Sequence, residues 1–277
     1  VTLGFGLAWA LDWQFNWFAI SPNMLAAHVH AGLVGWLACT LMGVSYKLME
    51  LFALAHRRSW RLAYANLVAW NAGLVGLVLS LLLRPGSLAV TAFTALLGLS
   101  AAVFAFDLLR MWTSRRRRAI SLEQAYLAVS LASLLLAAAL GIVIASGASL
   151  RPNWVVAYGY AAIVGYFGFA IIGKYYKIIP FLIWLNRYGG TVGAGPTPLL
   201  KDLVDDRLGW ASLALLVVGY CGILAGLFAA QAALVATAGL VYLAGALLGT
   251  GAFGMALIPG RQIRRSSSRS RALPGRT

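Results

Sequence analysis

The sequence predicts an all-α fold, a polytopic bundle of about eight transmembrane helices, and three observations support this class. Hydrophobic residues make up 61% of the 277 residues, charged residues make up only 10%, and the mean hydropathy is +0.83. A soluble domain carries about 25% charged residues. The apolar runs extend for about 20 residues without period-2 alternation, which favours helices over a transmembrane barrel. Because a segment in lipid must satisfy its own backbone hydrogen bonds, each run is expected to be one helix.

The spans are delimited by the polar residues that interrupt the apolar sequence. Ser121 and Glu123 in "SLEQ" look like capping residues at the start of the fifth span, and Pro180 is expected to kink or end the sixth helix. The eight spans are predicted at about residues 1–18, 23–51, 61–83, 88–112, 121–146, 153–176, 208–230 and 232–258. We expect residues 1–258 to form one transmembrane domain and residues 259–277 to form a basic, disordered cytoplasmic tail. Since Val1 already stands in apolar sequence, we also expect a trimmed or incomplete N-terminus.

The loop charges predict the orientation. From the second span onward, basic loops alternate with loops that carry a single arginine or no charge. Lysine and arginine near span ends resist translocation, so the basic loops and both termini are expected in the cytoplasm. The net charge of +15 is therefore explained by topology, and no nucleic-acid partner is expected. We expect an integral protein of a bacterial cytoplasmic (inner) membrane, in contact with the lipid bilayer and with other membrane subunits or further copies of itself.

Two of the three histidines, His28 and His30, lie at the start of the second span, near the predicted outer face. Histidine inside a span is costly and is usually functional or paired. Two positions on a helix correspond to about 200° of rotation, so the two rings point to nearly opposite sides and do not easily share one metal. We predict that at least one of them ligates a metal cofactor; the alternative is a structural pair at the level of the lipid headgroups.

Other polar and small residues at membrane depth have candidate roles. Asp12 could accept a proton from an imidazole N–H, Asn71 is expected to bond a neighbouring helix, and Asp107 is expected to pair with Arg110 three residues on. In the sixth span, Gly165 and Gly168 form a small side flanked by aromatic residues. That side could be the wall of a haem, quinone or pigment site, although ordinary helix packing is the interpretation we favour.

A histidine near the outer end of the helix, a Gly-rich apolar run and then "MGVSYKL" resemble the second helix of subunit I in the haem–copper oxidase superfamily. The longer segment "GWLACTLMGVSYKLMELF" is more similar to a divergent branch of small oxidase-like membrane proteins that carry His-x-His, and "GKYYKIIPFLIWLNRY" is similar to the same branch. The resemblance to cbb3 oxidases and nitric oxide reductases implies a low-spin haem, most simply of the b type, near the outer face. It places His28 at the ligand position and His30 where the family has asparagine, with His30 as the alternative ligand. Tyr46 matches the tyrosine that precedes the end of that helix.

The chain also departs from this family. Subunit I has about a dozen spans, and its copper centre needs further histidines, whereas predicted spans three to eight contain none and His56 falls in a cytoplasmic loop. We therefore do not expect copper or an independent enzyme. A second axial ligand could be a methionine or could come from another subunit or copy.

The expected function is haem binding in electron transfer or haem handling. The alternative is a non-catalytic scaffold or pigment-binding subunit of a larger respiratory or photosynthetic complex. A transporter ranks third, because the sequence lacks a clear inverted repeat or paired broken helices.

Overall fold

The described part of the protein consists of helices joined by short connections. The structure is a computed structural model that describes residues 2–15, 20–53, 60–115, 120–148, 152–191, 197, 199–200 and 203–257. Within these residues the α-helices α1 to α10 are Thr2–Phe15, Pro22–His30, Ala38–Ala53, Arg61–Leu83, Leu88–Thr113, Leu122–Ala145, Pro152–Tyr160, Phe169–Tyr188, Asp206–Ala229 and Ala232–Leu257. A first π-helical segment, Ala31–Leu37, joins α2 to α3; a second, Ala161–Gly168, joins α7 to α8; and a 3-10 turn, Gly189–Thr191, follows α8. The predicted all-α class is confirmed.

Seven helical stretches of the described chain are long and apolar enough to cross a membrane, and they correspond to predicted spans two to eight. They are Pro22–Leu51, Arg61–Leu83, Leu88–Thr113, Leu122–Ala145, Pro152–Tyr188, Asp206–Ala229 and Ala232–Met255. The first predicted span is described as α1, a helix of 14 residues. At about 1.5 Å per residue it measures about 21 Å, less than the hydrocarbon core of about 30 Å. The orientation stays a prediction from the loop charges, and the tail at 259–277 lies outside the described residues.

The sixth predicted span is longer than expected, because Pro180 does not end its helix. The whole stretch Pro152–Tyr188 has 37 residues, and α8 continues past the buried Pro180 to Tyr188. The predicted end at Tyr176 was therefore wrong. Proline removes one backbone donor, and membrane helices tolerate this loss where neighbouring groups satisfy the exposed backbone. The two π-helical segments were not predicted, since a π-turn has no residue signature comparable to a helix cap.

A first compact unit comprises Val1–Ala119 and Leu131–Ile163. Its helices are joined by side chains that donate to backbone carbonyls of other elements. The Trp70 indole Nε1 of α4 donates to the carbonyl of Val34 in the first π-helical segment at 3.0 Å. The Asn66 amide, also on α4, donates to the carbonyl of Ser100 on α5 at 3.1 Å. Such bonds are needed in lipid, where no water is available to bond these polar groups.

Asn71 behaves differently from what its position in the sequence suggested. Its Nδ2 donates to the carbonyl of Leu67, on its own helix, at 2.8 Å, and the side chain is exposed. The expected bond to a neighbouring helix is made by Asn66, five residues earlier, so the prediction for Asn71 was wrong. Sequence spacing cannot distinguish which face of a uniformly apolar helix is turned inward.

A second compact unit comprises Ile120–Ser130 and Val164–Thr277, and within it α9 and α10 approach each other through glycines. A Cβ atom placed on Gly219 would lie 2.5 Å from the backbone nitrogen of Tyr242. A Cβ on Gly245 would lie 2.8 Å from the backbone nitrogen of Leu216. Both distances are shorter than van der Waals contact, so each helix uses a glycine to admit the backbone of the other.

We predict that Gly219→Ala destabilises the second compact unit by about 1–3 kcal/mol, because the added methyl group meets backbone rather than a movable side chain. The measurement is denaturant unfolding of the purified protein in detergent micelles, followed by circular dichroism. Gly239→Ala on α10 is the matched control, since its Cβ would meet nothing within 4 Å. Equal stability of the two variants would contradict the close approach of α9 and α10.

Candidate functional site

The two histidines lie near the start of the helix that opens the second predicted span. Ser21 caps α2, with its Oγ accepting from the backbone N–H of Met24 at 3.2 Å, and Pro22 occupies the first turn. His28 and His30 follow about 9 and 12 Å along the axis from Pro22. His30 is the last residue of α2, and the first π-helical segment begins at the next residue. Both side chains are partly buried.

The imidazole of His30 is held by contacts on both of its nitrogens. Its Nδ1 lies 2.7 Å from the carbonyl oxygen of Ala26, one turn earlier, and its Nε2 lies 3.0 Å from the hydroxyl of Tyr158 on α7. A carbonyl oxygen only accepts, so Nδ1 carries the proton, and in the neutral ring Nε2 accepts from the Tyr158 hydroxyl. The two rings are nearly parallel, with centroids 6.3 Å apart and an interplanar angle of 19°. His30 is thus fixed in the tautomer whose Nε2 lone pair points away from its own helix.

His28 faces a different neighbour. Its ring lies against the indole of Trp9 on α1, with centroids 4.7 Å apart and an interplanar angle of 47°. The two imidazoles therefore contact different helices, as about 200° of rotation along α2 requires. Asp12, the expected imidazole partner, is buried on α1, but neither ring nitrogen of His30 is bonded to it. The third histidine, His56, lies outside the described residues.

Both partners in the His30–Tyr158 contact stand just before a π-helical segment. The first segment follows His30 directly, and the second begins at Ala161, three residues after Tyr158. π-turns are rare and occur frequently at functional sites. The ring of Tyr158 also rests on Gly141 of α6, where an added Cβ would lie 3.3 Å from the ring. Two uncommon backbone segments and one glycine therefore accompany a single polar contact.

The first π-helical segment also explains the bond from Trp70. The N–H of Ala38 bonds the carbonyl of Leu33, five residues back. After this turn the helix returns to hydrogen bonds between residues four apart. The N–H of Cys39 then faces the carbonyl of Gly35, and the carbonyl of Val34 receives no N–H from its own helix. Trp70 donates to that carbonyl at 3.0 Å. The widened turn after His30 is thus anchored by a side chain from α4.

The remaining predicted site residues lie elsewhere in the fold. Tyr46 is buried on α3, about 24 Å along the helix from His30, and its hydroxyl donates to Asp107 Oδ2 at 3.2 Å. The guanidinium of Arg110, the expected partner of Asp107, lies over the ring of Phe106 at 5.7 Å. That Asp107 accepts from the phenol of Tyr46 could not be predicted from the spacing of residues along one helix. The structure does not bring Tyr46 to the histidines.

Gly165 and Gly168 both fall in the second π-helical segment, Gly165 buried and Gly168 partly buried. They belong to the second compact unit, whereas His28, His30 and Tyr46 belong to the first. The second π-helical segment is stabilised by a side chain of α6: the hydroxyl of Ser130 donates to the carbonyl of Tyr166 at 2.7 Å. The role of Gly165 and Gly168 as the wall of a cofactor site stays a prediction.

Across the described ranges, no three side chains among histidine, cysteine, aspartate and glutamate form a group that could hold a metal ion. Within these ranges the imidazole of His30 is thus not part of such a group. A single histidine suits a cofactor that brings its own equatorial ligands, such as haem.

A buried ion pair in the second compact unit was missed by the sequence analysis. Lys174 Nζ on α8 lies 3.0 Å from Glu123 Oε1 on α6, and the two side chains are 6% and 5% exposed. Glu123 had been interpreted as a capping residue, but the cap is closed by Gln124, whose Oε1 accepts from the backbone N–H of Ser121 at 3.2 Å. That interpretation of Glu123 was wrong. The available signal was a glutamine at the third helical position, which completes a capping box and leaves Glu123 available for another partner.

Residues close in sequence to this pair also bring α6 and α8 together. Gly173, next to Lys174, admits the neighbouring helix: an added Cβ would lie 2.7 Å from the Cβ of Tyr126. The rings of Tyr126 and Tyr176 stack, with centroids 5.4 Å apart and an interplanar angle of 26°. Desolvation of two charges costs several kcal/mol per ion, so the pair stabilises the fold only while both partners are present.

The fold defines the class of the protein: it is an integral membrane protein built as a bundle of apolar helices. Comparisons with protein-family models, with curated proteins and with solved structures find no match to the chain. The function is therefore inferred from the chain's own residues.

We predict that Lys174→Met alone lowers the free energy of unfolding by about 3–5 kcal/mol, because it leaves the Glu123 carboxylate buried without its cation. The double variant Glu123→Leu/Lys174→Met should recover most of this loss. Both are measured by denaturant unfolding in micelles.

The matched control for this pair is Lys47→Met. Lys47 lies 4.0 Å from Glu50, but its side chain is 76% exposed, so the change should stay within about 1 kcal/mol. A double variant as unstable as Lys174→Met alone would contradict the assignment of the cost to an unpaired buried charge.

Proposed function

We propose that this integral membrane protein binds a b-type haem with His30 as an axial ligand, and that it acts in electron transfer or haem handling. The observation that carries the proposal is the contact of His30 Nδ1 with the carbonyl of Ala26 at 2.7 Å. Histidines that ligate metals almost always donate their other ring N–H to a carbonyl, carboxylate or water, which fixes the tautomer and the ring orientation. His30 has this arrangement.

The orientation of its ring nitrogens favours His30 over His28 as the haem ligand. A ring locked by Nδ1 presents Nε2 as a lone-pair donor in the neutral state that metal ligation requires. His28, which the resemblance to oxidase subunit I places at the ligand position, packs its ring on Trp9 and is the alternative ligand in this proposal. The two cysteines of this sequence, Cys39 and Cys221, are too far apart to form a Cys-x-x-Cys-His motif. We therefore propose a haem held by ligation.

The residues around His30 have separate tasks in this proposal. The carbonyl of Ala26 holds the proton on Nδ1, and the apolar surroundings of α2 disfavour a charged imidazolium. The Tyr158 hydroxyl lies at Nε2, and since one lone pair serves one partner, ligation replaces this hydrogen bond. A bound haem would supply reversible one-electron transfer.

A second candidate function is a non-catalytic scaffold or pigment-binding subunit of a larger respiratory or photosynthetic complex. One observation favours it: both ring nitrogens of His30 are already satisfied by protein groups, Ala26 and Tyr158. A histidine bonded in this way can join α2 to α7 without any cofactor. In both candidates we propose a bacterial cytoplasmic membrane, with the basic loops on the cytoplasmic side.

We predict that the purified full chain, produced with haem supplied, shows a Soret band that shifts on reduction with dithionite. His30→Ala should abolish the band, whereas His28→Ala should retain it. Absorption spectra of oxidised and reduced samples provide the measurement. A colourless wild-type protein would overturn the haem proposal in favour of the scaffold, and loss of the band only in His28→Ala would move the ligand to His28.

We further predict that Tyr158→Phe binds haem about threefold more tightly than the wild type. The hydrogen bond from Tyr158 to Nε2 exists only in the haem-free state, and a side-chain hydrogen bond in a membrane is worth about 0.6 kcal/mol. Titration of the haem-free protein with haem measures the change. Weaker binding by Tyr158→Phe would show that the hydroxyl supports the bound state instead of competing with it.

A further inference from the structure

Asn71 is a carboxamide at the middle of a span, on a face that is turned away from the protein. It lies about 15 Å along α4 from Arg61, which is half the thickness of the hydrocarbon core. Its side chain is exposed, and it is flanked on the same helix face by Tyr64, Val68 and Val75, which are 64%, 70% and 56% exposed. These positions follow the spacing of four and three residues that characterises a helix–helix seam.

The hydrogen-bonding capacity of Asn71 is used only in part. A carboxamide offers two donor hydrogens and an acceptor oxygen. Within the described part of the chain, the side chain makes one bond, from Nδ2 to the carbonyl of Leu67 on its own helix. A second donor and the acceptor oxygen remain to be satisfied, and lipid acyl chains cannot satisfy them. Two other polar side chains of α4, Asn66 and Trp70, are turned inward to carbonyls of the first compact unit.

We propose that this face of α4 is the interface between two copies of the chain, in which the two Asn71 side chains bond each other across a two-fold axis. A carboxamide is its own complement, because each copy can donate Nδ2–H and accept at Oδ1. A two-fold axis brings the same residue of both copies together. The valines one turn to either side of Asn71 supply the close apolar packing that membrane helices need in order to associate.

The test measures association of the full chain in liposomes. Copies that carry a donor or an acceptor fluorophore at the C-terminus are reconstituted at decreasing protein-to-lipid ratios, and energy transfer gives the dimer fraction. The wild type should dimerise, and Asn71→Leu should weaken association by about tenfold, since two amide hydrogen bonds are lost per dimer. Asn71→Gln keeps the amide and should retain most of the association. Because the hydrogen bond of Asn71 lies within its own helix, Asn71→Leu removes no hydrogen bond between described helices of one copy.

The matched control is Thr40→Val. Thr40 is likewise exposed on a membrane helix and bonds a carbonyl of its own helix, that of Trp36, at 2.8 Å, so its loss should leave the dimer fraction unchanged. A second measurement uses single cysteines after replacement of Cys39 and Cys221. Val75→Cys should cross-link between copies, and Leu99→Cys, on the exposed side of α5, should not. A monomeric wild type at every dilution, undiminished association of Asn71→Leu, or equal cross-linking at both positions would overturn the proposal.

Discussion

The structure depends on one constraint, the absence of water from the hydrocarbon core, which obliges every buried polar group to find a partner within the protein. The helices satisfy the backbone almost completely, and side chains supply what remains. Trp70 takes the carbonyl that the first π-helical segment skips, and Ser130 bonds a carbonyl in the second. Lys174 and Glu123 neutralise each other. The need to satisfy backbone hydrogen bonds keeps the helices regular, and it allows a π-helical segment only where a side chain bonds the exposed carbonyl.

The departures are concentrated around one polar contact. Widening a helix to five-residue bonds costs hydrogen-bond quality, and such segments persist where the surroundings compensate. Here the compensation comes from α4, through Trp70, close to His30. On the α7 side, Gly141 makes room for Tyr158. Each of these features has a cost of its own, and together they position an imidazole and a phenol 3.0 Å apart. Helix packing alone would require none of them.

Hydropathy was sufficient to predict the helices but not their partners. A span is a local property, since about 20 apolar residues suffice to cross the bilayer, and seven spans were found where the apolar runs lie. The contacts of the site are not local: His30 and Tyr158 are 128 residues apart, Tyr46 and Asp107 are 61 apart, and Lys174 and Glu123 are 51 apart. Predictions for single polar side chains failed, because Asn71 bonds its own helix instead of a neighbouring one and Glu123 pairs with Lys174 instead of closing the helix cap. The rotation of His28 against His30, which depends only on helix geometry, could be derived from sequence alone.

The choice between a structural and a cofactor-binding role for His30 depends on what its Nδ1 bond accomplishes. A histidine that served only to join α2 to α7 would need one hydrogen bond to Tyr158, and a second bond within its own helix would add nothing to that connection. The bond to Ala26 instead fixes which nitrogen carries the proton, and it directs the other lone pair away from α2. Fixing a tautomer matters when the second nitrogen must act as a base or as a ligand. In a scaffold the Ala26 contact would only satisfy the imidazole N–H that lipid cannot bond, whereas in haem ligation it would also set the nitrogen that binds iron.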